Sequence, residues 1–291
     1  MRVVANGLEH HVVTWGQDAA PSTVFLIHGF MDAAGTWDRV APALAEAGHF
    51  VVAPDMRGFG TGARAGAGGY YHFPDYVADL SALADELVGP ERRLKLVGHS
   101  MGGTVVTLFA GASPERVSRL VTIEGLGPPD NGWDIGPVRM RRWLDDLKET
   151  RASSSGASGR GSKAIPRDQA RRRLAVAHPG VPADVLDTRL PHLVREVGDG
   201  LVEWTYDPLH RTTSPMPFFA KLFAEFARRI TCPVTFVSGG PTGFHPPDEA
   251  ERLEAFANLE VITLEDAGHM VHWTKPQELS TLLVTRFAEI D

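Results

Sequence analysis

Four near-continuous apolar runs, each closing on Gly, Asp or Ser, limit what this chain can fold into more than any other feature. They are TVFLIHG (23–29), HFVVAPD (49–55), RLKLVGHS (93–100) and RLVTIEG (119–125). A strand that is apolar on both faces belongs in a parallel sheet covered by helices on both sides. The stretches between them, 35–47, 74–89 and 101–112, are amphipathic. The second opens with Pro74 and is followed by Gly89, the expected helix punctuation. Such alternation predicts a doubly wound α/β fold with a mostly parallel, twisted sheet.

The rhythm stops near residue 126 and resumes at PVTFVSGG (233–240), a helix near 247–257, LEVITLED (259–266) and a final helix over 275–290. Core segments 1–125 and 231–291 are therefore expected around a mainly helical insertion, 126–230, with helices at 135–149, 167–177, 182–197 and 215–229. Within it, RASSSGASGRGSKAIP (151–166) has almost nothing to bury and reads as a mobile surface loop. A chain of 291 residues, 43% hydrophobic and 22% charged, can close one sizeable core and carry such a subdomain.

Several function classes are argued against. Net charge is −7 with no basic stripe, which speaks against a nucleic-acid partner. The longest apolar runs are strand-length, far short of a membrane span, and MRVVANGLEHHVVTWG has no apolar segment of the secretory kind. A cytoplasmic protein is expected. Cys232 is the single cysteine, so no internal disulfide forms, a thiolate metal site is not expected, and the residue reads as buried at a strand start. Nothing in the sequence specifies an oligomeric state.

LVGHSMGGT (96–104) carries the chemistry. Gly98-His99-Ser100-Met101-Gly102 is a G-x-S-x-G pattern at a strand end and a helix start. A serine on that sharp turn has its hydroxyl held clear of the backbone, and small neighbours let the turn close. The helix behind it favours developing negative charge. A base is offered by His269, just past Ala267-Gly268 after the last strand, where sheet folds of this type place reacting groups. Its neighbour His272 reads instead as a structural residue. The backbone N–H groups of Phe30, in LIHGFMDAAGTW, and of Met101 are the natural oxyanion donors. His28 reads as a brace for that loop.

Together, His28-Gly29-Phe30, DMRGFG (55–60), the Ser100 motif and Gly268-His269 resemble the α/β-hydrolase fold family, most closely its lid-bearing serine esterases and lipase-like hydrolases. The resemblance covers about two-thirds of the chain. It implies a cap over the site formed by the insertion, and a triad in the order nucleophile, acid, histidine. Most members carry the acid after the strand that here reads PVTFVSGG, yet 239–242 are Gly, Gly, Pro and Thr. Two placements remain. Glu124 closes RLVTIEG, at a strand end that haloalkane dehalogenases and certain lactone hydrolases use. Alternatively Asp248 or Glu249 reaches back from beyond PTGFHPP. A triad acid must be buried and rigidly held, which favours Glu124. Asp248 and Glu249 open an amphipathic segment, where acids are ordinary first-turn residues.

The expected activity is hydrolysis of small or medium hydrophobic carboxylic esters through an acyl-enzyme, with no metal and no organic cofactor. Lactone hydrolysis, carbon–carbon bond hydrolysis and perhydrolysis would use the same triad. A non-catalytic ligand-binding protein on the same fold is the alternative of another class. Dehalogenases and epoxide hydrolases attack with an aspartate, so Ser100 argues against both activities. Asp55 and Arg57 read as a salt-linked turn. Trp37 is expected to pack at the base of its helix. Trp133, Trp143, Trp204, Tyr206, Phe218 and Phe219 are expected either to pack the insertion or to line a pocket. His210 and Arg211 are possible polar groups there. RMRR (139–142) and RRR (171–173) read as solvated helix faces.

Overall fold

The computed structural model describes residues 1–153 and 163–288. The chain opens with two strands that the sequence reading left unassigned, β1 (Arg2–Ala5) and β2 (Leu8–Trp15), joined at Asn6-Gly7, a dipeptide suited to positive φ. There follow β3 (Ser22–Ile27), α1 (Ala41–Glu46), β4 (His49–Pro54), α2 (Phe73–Val88), β5 (Leu94–His99), α3 (Met101–Ala112) and β6 (Val117–Ile123). The segment that interrupts the rhythm holds α4 (Gly136–Ser153), β7 (Ile165–Pro166), α5 (Arg167–Ala177), α6 (Ala183–Leu193), β8 (Val194–Gly198), β9 (Leu201–Trp204) and α7 (Ala220–Arg228). The strand–helix rhythm then returns with β10 (Val234–Ser238), α8 (Glu249–Glu254), β11 (Leu259–Thr263), α9 (Val271–Thr274) and α10 (Pro276–Ala288).

The main sheet runs β1-β2-β4-β3-β5-β6-β10-β11. Among the described residues, only the pairings of β2 in this sheet, with β1 and with β4, are antiparallel; the rest are parallel. Alternate residues feed opposite faces. Phe25, Ile27, Val52 and Leu96 pack with α2, α3 and α7, while Val24, Leu26, Val51 and Val97 pack with α1, α10 and Trp37. Both layers are fully buried at these positions, which is why the strands read as unbroken apolar runs. Cys232 lies buried just ahead of β10, as its sequence position suggested.

Two differences from the sequence reading have local causes. The helix expected over 182–197 stops at Leu193, and 194–204 form a hairpin that β7 extends to three strands, β7-β9-β8. Its turn is Gly198-Asp199-Gly200, all three at positive φ, a conformation no helix tolerates. The helix expected over 35–47 is split into a short 3-10 turn, Ala34–Trp37, and α1, with Pro42 at its start. α7 packs along α3, and its Phe223, Ala224 and Ala227 belong to the main core, so the last helix of the interrupting segment lies in the core layer. Leu147 of α4 and Leu209 join the main core as well, while α5, α6 and the small sheet have a core of their own around Leu174, Leu190 and Val202, which meets Ala33, Met270 and Trp273. The surface loop expected at 151–166 falls mostly on 154–162, outside the described residues; its flanks end α4 and form β7.

Candidate active site

The loops leaving the carboxyl ends of β3, β5, β6, β10 and β11 converge, and the residues singled out in the sequence lie on them. Ser100 sits alone between β5 and α3 with φ 52° and ψ −115°. A non-glycine residue in such a conformation is strained by about 1–3 kcal/mol, and it persists only where its surroundings leave no alternative. Those surroundings are tight. A Cβ on Gly102 would lie 2.2 Å from the carbonyl oxygen of Ile27 on the neighbouring strand. The Ser100 N–H donates to Ile123 O at 2.9 Å, which ties the turn to β6.

His269 follows β11 and Gly268, and its Nε2 stands 3.0 Å from Ser100 Oγ. On the other side of the ring, Nδ1–H donates to Glu124 Oε2 at 3.3 Å. Glu124 ends β6, also at positive φ, with its carboxylate fully buried. Its cradle is the segment where an acid is missing. Gly239 N–H donates to Oε1 at 2.6 Å, and Phe244 N–H donates to Oε2. A Cβ on Gly243 would come 2.5 Å from Oε1, so the glycine-rich loop supplies donors and room in place of a carboxylate. Asp248 and Glu249 are elsewhere. Asp248 precedes α8 and pairs with Arg252, and Glu249 accepts from His245.

Phe30 and Met101 both line the cavity that opens over Ser100. The Phe30 N–H has no acceptor among the described residues. Met101, as the first residue of α3, carries one of the N–H groups that a helix leaves without an internal acceptor. His28 braces this loop: Nδ1–H donates to Gly29 O at 2.7 Å and Nε2 accepts the Met56 N–H at 3.0 Å. Asp55 and Arg57 are structural too, though not linked to each other. Asp55 holds His11 and the N–H groups of Ala34 and Thr61, while Arg57 grips the buried Asp79.

Behind Ser100, His269 and Glu124 lies a buried brace. His99 Nε2–H donates to the carbonyl oxygen of His269 at 2.8 Å. Burial, helped by His272 and His269, holds the His99 ring well below the ordinary histidine range and therefore neutral. His272 packs against it, 4.5 Å between ring centroids, and donates to Asp32 at 3.0 Å. Asp32, His99 and His272 are the only group among the described residues with metal-ligand proximity, each offering a ligand atom within 4.8 Å of the others. Two of its ring nitrogens already donate, to His269 and to Asp32, so hydrogen bonding accounts for the arrangement.

The cavity measures about 550 Å³ and is largely apolar. Its aromatic wall comes from Phe30, Tyr70, Tyr71, Phe73, Tyr76 and Phe244 rather than from the insertion aromatics. Trp133 is 80% exposed and stacks on Phe219, and Phe218 packs on Phe223 under Arg252. Trp143 meets Tyr70, and Trp204 stacks on Tyr206 outside this cavity. The run Tyr70-Tyr71-His72-Phe73 was passed over in the sequence. Its signal is four consecutive rings after a glycine-rich stretch, running into the first residue of α2. Of the insertion's polar groups, His210 reaches the wall, sandwiched between Phe59 and Tyr71 at 4.0 and 4.1 Å, and burial pushes its pKa down to about 3.

Comparison with known proteins bears on the family and the fold. Residues 22–276 match the family model of the alpha/beta hydrolase fold. The chain is 29% identical to Esterase Rv0045c of Mycobacterium tuberculosis over 91% of this chain and 82% of that one. It is 44% identical to Epoxide hydrolase A of the same organism, but over only 42% of this chain and 37% of that one. Among solved structures, a hypothetical protein of Pseudomonas aeruginosa, PA1622, superposes with TM-score 0.86 at 26% identity over 99% of both chains. The chain spans about half or less of the length of several curated relatives it matches.

Proposed function

The chain belongs to the α/β-hydrolase fold family, and on that premise we propose that it is a serine hydrolase cleaving carboxylic esters through an acyl-enzyme. One observation carries the proposal: Ser100 Oγ lies 3.0 Å from His269 Nε2, whose other nitrogen is 3.3 Å from the buried Glu124 carboxylate. In the first half-reaction Ser100 attacks the ester carbonyl while its proton passes to Nε2. The tetrahedral oxyanion is held by the N–H groups of Phe30 and Met101. Glu124 keeps Nδ1 protonated and stabilises the imidazolium that forms. His269 then protonates the leaving alcohol, and water repeats the sequence on the acyl-serine.

The largely apolar cavity supports a hydrophobic acyl or alkyl group close to the scissile bond. The interrupting segment acts as a cap in this reading, since Gly127, Pro128, His178 and His210 contribute to the cavity wall. The local likeness to an epoxide hydrolase favours no second reading, because those enzymes attack with a carboxylate and this elbow presents an alcohol.

The test is labelling by a fluorophosphonate, followed by turnover of short p-nitrophenyl esters. A single adduct on Ser100, and loss of both labelling and turnover in Ser100→Ala, is the expected result. A folded wild type that neither labels nor turns over would sink the proposal in favour of a non-catalytic binding protein.

A further inference from the structure

His178 lines the cavity over Ser100 and also a second cavity of about 340 Å³, whose wall includes Met31, next in sequence to Phe30. The second cavity also gathers Leu174 at its base, Trp204 and Tyr206, and two arginines, Arg173 and Arg211. Trp204 and Tyr206 stack there with ring centroids 5.9 Å apart and planes 27° from parallel.

Two exposed arginines stand on the wall of this cavity. The other three arginines of α5 are paired, Arg167 with Glu196, Arg171 with Asp187 and Arg172 with Asp168. Arg173 and Arg211 make no hydrogen bond and no ion pair among the described residues. Burial raises the Tyr206 hydroxyl pKa while Arg211 and Arg173 both pull it down, so both guanidiniums act on one point in the cavity. Two cations brought together without a counter-charge repel each other, and an anion between them relieves that repulsion. The chain as a whole is anionic, at −7, so this is a local concentration of positive charge and not a basic surface.

We propose that the side cavity takes an anionic arm of the substrate, a carboxylate or phosphate carried several bonds from the scissile ester, with the arm's hydrocarbon against Trp204 and Tyr206. This rests on the ester-hydrolase reading and narrows its substrate class. A guanidinium fork matches both anions. The ester itself stays in the apolar cavity beside Ser100, and the arm passes His178. Because both arginines are exposed, the gain is modest, about tenfold.

The experiment pairs mono-p-nitrophenyl dicarboxylates, from adipate to sebacate, with p-nitrophenyl alkanoates of equal chain length. At one or more lengths kcat/KM for the charged ester should exceed its neutral partner by about tenfold. That ratio should fall towards one in about 0.5 M salt and in Arg173→Gln/Arg211→Gln. A ratio near one at every length in wild type, or a ratio unchanged in the double variant, would overturn the proposal. Calorimetric titration of Ser100→Ala with monomethyl suberate and with octyl phosphate reads the cavity without turnover. Binding weakened about tenfold by adding the two substitutions supports it, equal binding overturns it, and the tighter ligand identifies the anion. If neither ester series turns over and no fluorophosphonate adduct forms, the hydrolase reading fails alone, and the titration still decides the cavity.

Discussion

Replacing Glu124 by glutamine separates the two things the proposed triad acid would do. Three N–H groups converge on its carboxylate: Gly239 on Oε1, and Phe244 and His269 Nδ1 on Oε2. A carboxylate accepts at both oxygens, whereas an amide must turn its NH2 towards one side. With NH2 at the Oε1 position Gly239 loses its acceptor; with NH2 at the Oε2 position Phe244 does, and His269 must invert its tautomer to accept from the amide at Nδ1. Each orientation leaves one backbone N–H unpaired, and the first is the one that keeps the Ser100 hydroxyl donating to Nε2. His269 then keeps its tautomer and loses only the charge opposite it. Coulomb's law gives about 5 kcal/mol for full charges 3.3 Å apart at an effective dielectric of 20. His269 is 35% exposed, and solvent screening leaves about 3–4 kcal/mol, a loss of roughly 10²- to 10³-fold in kcat/KM. That is smaller than the roughly 10⁴-fold typical when the tautomer inverts. The assay is p-nitrophenyl butyrate hydrolysis by wild type and Glu124→Gln, with thermal melts expected to show a stability loss of about 1–3 kcal/mol from Gly239. A folded variant losing less than tenfold in rate would refute the reasoning.

Asp248→Asn should do the reverse. It takes the charge partner from the buried Arg252, so the melting temperature should drop while kcat/KM stays within a few fold; a rate loss beyond 10²-fold would return the acid's role to Asp248. His99→Ala removes the donor that fixes the His269 carbonyl and should lower kcat by about 10- to 100-fold with little change in KM; an unchanged kcat would show that the brace is only packing. His210 has its folded pKa depressed from 6.5 to about 3, so the unfolded chain binds the extra proton and stability falls as pH drops below 6.5. At pH 5 that is about 2 kcal/mol, and urea melts of His210→Phe should show a shallower acid slope than wild type; parallel slopes would refute it.

How far the sequence is legible depends on whether a residue's role is local. Ser100 and His269 announce themselves because a strand end, a small-residue turn and a helix start are all written in adjacent positions. The parallel core is legible because burial on both faces leaves unbroken apolar runs. Glu124 is harder, since its cradle is 115 and 120 residues away at Gly239 and Phe244, and no local pattern pairs a carboxylate with distant N–H groups. Tyr70 to Phe73 are obscure for another reason. Their rings reach the cavity through the path of a glycine-rich loop, which has no periodicity to read. The hairpin at 194–204 was hidden by continuity with α6, although Gly198-Asp199-Gly200 marks its turn.

In the proposed triad, an acid at the end of β6 has a mechanical consequence. The chain leaves the core for the interrupting segment almost at once, so a shift of that segment would pull on Glu124, which stands 3.3 Å from His269 Nδ1. Arg252 stands between the two as an anchor. From α8 its Nη1 grips the carbonyl oxygens of Leu126, Gly127 and Pro128, at 2.8, 3.1 and 2.8 Å. Those three bonds tie the first residues of the interrupting segment to α8, so a displacement that begins beyond Pro128 would leave the Glu124 carboxylate where it stands.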